Sequence, residues 1–185
     1  SPLLAQTIAR TCTLMAGDVG VIYLLSEDGR TLEVAATHHD ESPLGSTIAT
    51  YVQEGPRLAV GESFSGRVVQ SGEPIFIPRL GPNMWEGDMN APRRALLEQL
   101  ADHSLLAVPM RARGTVIGCI SLLRITHGSF TQDERALLQR VANSAALAVQ
   151  NSRAYTHIAR AEAEIRELQR TVERQAVIYE TMLRQ

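Results

Sequence analysis

Two cysteines, a pair of adjacent histidines and three serines around one turn are the residues here whose types invite chemistry, and their spacing supports little of it. Cys12 and Cys119 fall in a predicted helix and a predicted strand. Neither belongs to a CxxC spacing or a His pattern, so the roughly four ligands of a zinc site are not assembled. Both read as buried thiols acting as small hydrophobes, and burial mid-strand would make Cys119 inert. Ser63, Ser65 and Ser71 flank a turn without the Gly-x-Ser-x-Gly elbow or an evident base that would activate a hydroxyl. His38-His39 beside Asp40-Glu41 resembles a metal patch only on paper, because adjacent residues at a strand end point to opposite sides. His103 opens a strand and could ligate haem, though a cap or surface role is the simpler reading. All 18 basic residues are Arg, which excludes lysine Schiff-base chemistry. No catalytic residue and no metal site is expected.

Binding chemistry is better supplied. Met84, Trp85 and Met89 lie in the Gly-containing loop Gly81–Asn90, which holds the only Trp. An aromatic ring and two adaptable thioethers suit an apolar lid over a ligand, or a plug in the domain's own core. Arg79, Arg93 and Arg94 flank this loop and could grip an anionic group in bidentate fashion, or be solvated.

The elements that must position these residues follow from pattern. Leu3–Met15 has apolar residues at helical spacing. Val19–Leu25 and Thr31–Thr37 form a hairpin across Asp28-Gly29, with Leu32 and Val34 on one face. The stretch from His38 to Gly61 is ambiguous: Ile48–Val52 fits a helical turn or an edge strand. Ser63 caps a short helix, Phe64–Ser71, closed by Gly72. Pro74–Pro78 is a brief strand bracketed by prolines, hence an edge. Ala91–Asp102 is a helix capped by Asn90, with Pro92 in its first turn. His103–Met110 and Thr115–Arg124 are strands apolar almost throughout, as when both sheet faces are covered.

Thr131-Gln132-Asp133-Glu134 forms a capping box opening a long helix with no Pro or Gly to interrupt it. Its first half has core density: Leu137, Leu138, Val141, Ala145, Leu147, Val149. Beyond Tyr155 a heptad seam emerges, with Ile158, Ile165, Val172 and Tyr179 at one position and Ala161, Leu168, Gln175 and Met182 at the other. Such a helix needs a partner, most simply a second copy of itself, so Ile158, Ala161, Ile165, Leu168, Val172, Tyr179 and Met182 are the expected dimer interface.

At 185 residues, 44% hydrophobic and 21% charged, with net charge −2 and pI near 6.2, the chain fits one globular domain with an appendage. Nothing favours nucleic acid or an anionic membrane. There is no apolar run of about 20 residues and no signal-peptide pattern, so a cytoplasmic location is expected. The Ser1-Pro2 start suggests a piece cut from a longer polypeptide.

Three blocks in order resemble the GAF domain family: GESFSGRVVQSGEPIFIP (61–78), SLLAVPMRARGTVIGCISLLR (104–124) and FTQDERALLQRVANSAALAVQNSRAY (130–155). The resemblance implies an α+β fold, a PAS-related six-stranded antiparallel sheet. The N- and C-terminal helices would pack on one face, a small-molecule pocket would lie on the other, and the C-terminal helix would be extended. The expected division is 1–155 for the sensory domain and 156–185 for the coiled-coil helix. Pocket candidates are Phe64, Ile77, Arg79, Met84, Trp85, Met89, Leu96, Leu106, Val108 and Cys119. Departures from family subtypes narrow the ligand. Arg79 replaces a common strand-end Asp, which inverts the polarity there. The Asn-Lys-x-Asp cluster of the cyclic-nucleotide phosphodiesterase type cannot exist without Lys. The lid cysteine of bilin binders and of methionine sulfoxide reductases is missing from 81–104. Members of the family bind cyclic nucleotides, bilins, haem or other small molecules, and some bind nothing, so the resemblance leaves the cofactor unknown.

Three readings follow. One is a non-enzymatic sensor that binds a small molecule and signals through a dimeric C-terminal helix to an output module in the same polypeptide, as in a bacterial histidine kinase or transcription regulator. A second is a ligand-free dimerisation module. The third is a small-molecule redox enzyme of the same fold.

Overall fold

The computed structural model describes residues 2–55, 57–81, 98–100 and 102–183, with 176–181 and 183 described by backbone alone. In chain order these form α1 (Pro2–Leu14), β1 (Val19–Leu25), β2 (Thr31–His39), α2 (Pro43–Glu54), β3 (Leu58–Ala59), α3 (Ser63–Ser71), β4 (Ile75–Ile77), β5 (Ser104–Ala112), β6 (Thr115–Arg124) and α4 (Gln132–Leu183). The described strands make one antiparallel six-stranded sheet in the order β3-β2-β1-β6-β5-β4. β4 is an edge strand, where prolines that cannot donate to a ladder are tolerated.

Local chemistry accounts for the framework. The β1–β2 hairpin turns at Gly29, whose φ of 71° a residue with a side chain adopts reluctantly. The Asp28 carboxylate accepts from the Arg30 amide at 3.0 Å and from Ser26 Oγ at 2.6 Å. The capping box at α4 forms as the sequence predicts: Glu134 N donates to Thr131 Oγ1 at 3.2 Å, and Thr131 N donates to Glu134 Oε2 at 2.7 Å.

Register tells the two sheet faces apart. Ile22, Ile120 and Val108 oppose one another across β1, β6 and β5, as do Gly20, Leu122 and Leu106. A Cβ on Gly20 would lie 2.5 Å from Cys12 Sγ and 2.8 Å from Ile8, so this face meets α1 at the closest approach a glycine allows. The first part of α4 covers the same face. Gln139 Nε2 donates to Pro109 O at 2.8 Å, and Arg135 stacks 4.4 Å over the Phe76 ring. The alternate rows, Val19–Leu123–Leu105 and Val21–Ser121–Ala107, face the other way, towards α2 and α3.

A polar node fastens α1, the end of β6 and the start of α4. Arg124, 4% exposed, donates to Glu134 Oε1 at 2.7 Å, to Ala16 O at 3.2 Å, to Ser129 O at 3.1 Å and to Met15 O. Its guanidinium lies 4.1 Å over the Phe130 ring. Hydrogen bonding from Arg124 holds the Glu134 carboxyl below its ordinary pKa against the opposing effect of burial. Beside it, Asp18 accepts from the Ile125 and Thr126 amides and from Thr126 Oγ1.

The chain divides into two compact units, Ser1–Leu147 and Ala148–Gln185. The sequence pattern placed the division between 155 and 156, where the heptads begin. Ala145 and Ala146 are buried, Leu147 is 45% exposed and residues 148–150 are half-buried. In the second unit, residues 151–175 of α4 are all exposed in the single chain.

Candidate functional site

The site is built on the α2/α3 face of the sheet. α2 begins where Ser42 Oγ accepts from the Gly45 amide at 3.0 Å and Pro43 occupies the first turn. Gly45 admits the Asp40 carboxylate, which a Cβ there would meet at 2.2 Å. The helix presents Ile48, Tyr51 and Val52 inward at i, i+3, i+4 spacing. α3 is pressed onto the end of β3, since a Cβ on Gly66 would lie 2.5 Å from Ala59 O. Gly61, at φ 89°, turns the chain into that approach, and its amide donates to Gly66 O at 3.0 Å. Gly61 and Gly66, the two glycines of the GESFSG stretch, therefore bring the start of α3 against the sheet.

Between these helices and the strands is a cavity of about 480 Å³. Val19, Val21 and Tyr23 of β1 and Ser121 and Leu123 of β6 form its floor, and Ile48, Tyr51, Val52, Phe64 and Ser65 line its helical side. Ser63 also lines it, at a φ of 55° that is unusual for a residue with a side chain. Charge among the described lining residues is confined to Glu33 and Arg57, which are exposed and bound to each other at 2.9 Å. The volume and the mixture of apolar wall with hydroxyl groups match a small-molecule site.

Of the residues expected to line a pocket, Phe64 does. Ile77 and Cys119 belong to the same hydrophobic core without reaching the cavity surface. Burial pushes the Cys119 thiol up to about 12, despite a hydrogen bond with Ser65 that works the other way. Cys12 is likewise raised to about 12 by burial, with Asp18 adding to the effect, so neither thiol supplies a thiolate at neutral pH. Arg79 stands at the surface in an ion pair with Asp102 at 3.3 Å. Leu106 and Val108 require correction. Both are fully buried, but their register with Gly20 and Ile22 turns them to the α1/α4 face, away from the cavity. Strand alternation forbids them from sharing a side with Leu105 and Ala107. Met84, Trp85, Met89, Arg93, Arg94 and Leu96 lie outside the described residues, as does most of the expected helix 91–102.

Sequence reasoning missed the α2 wall. Ser42-Pro43 is a cap followed by a first-turn proline, and Ile48, Tyr51 and Val52 repeat at helical spacing; together they were the available signal. The expected helix–helix residues Ile158, Ile165, Leu168, Val172 and Met182 are between 55% and 65% exposed in the single chain, and Ala161 is exposed with them. The Tyr179 side chain is outside the described set. Among the described residues no group of three or more His, Cys, Asp or Glu could hold a metal, and no helix is long and apolar enough to cross a membrane.

The family model for the GAF domain matches residues 1–149. Nif-specific regulatory proteins of Azospirillum lipoferum and Azospirillum brasilense are 32% identical over 128 residues, covering 67% of this chain and 19% of each relative. The chain thus spans about a fifth of the length of those regulators. Among solved structures, the GAF domain of a phosphoenolpyruvate-protein phosphotransferase from Coxiella burnetii superposes with a TM-score of 0.65 at 18% identity, covering 84% of this chain and 85% of that one. The second GAF domain of DevS from Mycobacterium smegmatis gives 0.61 at 16% identity, covering 85% and 97%. With its antiparallel sheet, helix-covered face and opposing cavity, this chain belongs to the GAF domain family.

Proposed function

We propose that the chain is a non-catalytic sensor module of a larger cytoplasmic regulator, whose cavity takes a small molecule and whose helix α4 carries the response to an output domain. The observation that carries this reading is the two-sided use of β1 and β6. Val19, Val21, Ser121 and Leu123 line the cavity, while the intervening Gly20, Ile22, Ile120 and Leu122 pack against the helices. A molecule that shifts either strand by a fraction of an ångström presses on α1 and α4, because packed interiors transmit strain. It biases the helices only so far as it binds their two arrangements differently. Membership of much longer regulators among the relatives supports an output domain in the same polypeptide. Two buried, protonated thiols support the non-catalytic reading.

The ligand class follows from the lining. Among the described lining residues, apolar side chains are interspersed with the hydroxyl-bearing Tyr23, Tyr51, Ser63, Ser65 and Ser121, and the charged Glu33 and Arg57 pair with each other. This environment suits an uncharged, largely apolar molecule with one to three hydrogen-bonding groups, and it opposes a phosphate or dicarboxylate, whose charge would be desolvated unpaired. Thermal unfolding in the presence of neutral hydroxyaromatics, cyclic nucleotides and dicarboxylic acids tests it. A compound at 100 times its Kd stabilises by about 2.7 kcal/mol, which shifts Tm by several degrees. The neutral class should produce that shift, and Ser121→Leu should abolish it by filling the cavity. A shift with the charged classes alone would overturn the ligand class. No shift with any class, together with a more stable Ser121→Leu, would favour the ligand-free module.

A further inference from the structure

We infer that Arg111 clasps the cavity-side helix α3 to α4 around an open edge of the sheet, so that the two helices loosen and tighten together there. This rests on the sensor reading above and adds a second route from the cavity wall to α4, one that bypasses β1 and β6.

The edge is open because β4 is short. It pairs with Leu105, Leu106 and Ala107, whereas β5 runs on to Ala112. Beyond Ala107, side chains of α4 meet the backbone of β5. Gln139 Nε2 donates to Pro109 O at 2.8 Å, and the Arg111 amide donates to Asn143 Oδ1 at 3.4 Å. Gln139 Nε2 also donates to Asn143 Oδ1 at 3.0 Å, so the two side-chain amides brace each other. With Arg135, stacked over Phe76 of β4, they form one stripe of α4 at four-residue spacing. The stripe stands where a neighbouring strand would otherwise cover the edge.

On the cavity side the same residue reaches α3. Arg111 Nη2 donates to Gly72 O and lies 3.9 Å from Glu73 Oε1. Gly72 closes α3 at a left-handed φ of 71°, with its amide donating to Val68 O at 2.8 Å. A cation suits this place, since the last carbonyls of a helix are partly negative. A Cβ on Gly72 would lie 2.7 Å from Arg111 Nη2, so glycine serves both the backbone turn and the seat of the guanidinium. α3 in turn supplies Ser63, Phe64 and Ser65 to the cavity. One residue thus holds α3 by its side chain and α4 by its main chain.

Peptide-resolved hydrogen exchange on the full chain, with no compound added, tests the clasp, so the outcome does not depend on whether the cavity takes a small molecule. Gly72→Asn keeps a residue that tolerates the left-handed cap while its side chain displaces the guanidinium. Arg111→Met removes the guanidinium and keeps the amide. Each should speed exchange in residues 64–71 and, across the sheet, in 139–147 by about three-fold or more, with β1 and β6 unchanged. Combining the two should add nothing further in 139–147, because either change alone already opens the clasp. Acceleration confined to 64–71 would overturn the link to α4, and additive acceleration in the double variant would overturn it as well. Acceleration spread equally through β1 and β6 would reduce Arg111 to a residue that stabilises the whole domain, which also overturns the coupling. Failure of every compound class in the thermal-unfolding test would remove the sensor reading and leave this coupling to stand or fall by itself.

Discussion

The two faces of one sheet are made of the same five-residue stretches of β1 and β6, yet they are packed in opposite ways. On the α1/α4 side Ile8, Ile22, Leu106, Val108, Ile120 and Leu122 have no exposed surface, and Gly20 removes its own side chain so that α1 can close in. On the α2/α3 side the same strands leave a cavity of about 480 Å³. A face packed to the density of a crystal moves as a unit, whereas a face with free volume accommodates a guest. Both are built on the same strands, and the relay proposed above rests on that arrangement.

Neighbouring residues on β6 give the sharpest contrast. Ile120→Ala, on the packed face, should lose about 2–5 kcal/mol in urea denaturation, through lost transfer energy plus a cavity its neighbours cannot close. A loss below about 1 kcal/mol would mean the helix face is looser than described. Glu134→Gln comes next, because it leaves the Arg124 guanidinium buried with carbonyl partners only; the expected loss is about 1–3 kcal/mol at neutral pH. The same pair has a signed pH dependence. Glu134 is held below its ordinary value of 4.5, so its contribution is full above that pH and disappears as pH falls through the lowered folded pKa. Urea midpoints between pH 6 and pH 3 should therefore fall less steeply in Glu134→Gln than in the wild type. Ser121→Ala, one residue from Ile120 but on the cavity side, should change stability by less than about 0.5 kcal/mol. A cost comparable to that of Ile120→Ala would erase the distinction between the faces.

What the sequence disclosed and what it withheld have separate physical causes. Signals that act through the backbone were legible: the Asp28-Gly29 turn, the Thr131–Glu134 capping box and the prolines around β4 all place structure where they predict it. Side choice on β5 was not. His103–Met110 is apolar almost throughout, so no alternation marks which residues face the cavity, and Leu106 and Val108 were assigned to it although register sends them to α1 and α4. Only the register through Leu122 of β6 to Gly20 of β1, distant in sequence, settles that. The α2 segment was ambiguous because Gly45, Thr47, Thr50 and Gly55 depress helix propensity around Ile48–Val52, while burial against the sheet stabilises the helix regardless. The seam of α4 was visible as heptads, and residues 151–175 are exposed in the single chain.

The central claim is that filling the cavity is felt on the other side of the sheet. Peptide-resolved hydrogen exchange, with and without a compound that raises Tm, tests it most directly. Protection in β1 and β6 accompanied by altered exchange in α1 and in residues 132–147 of α4 is the expected result. Protection confined to α2, α3 and the cavity-lining strands, with both helices unchanged, would contradict it.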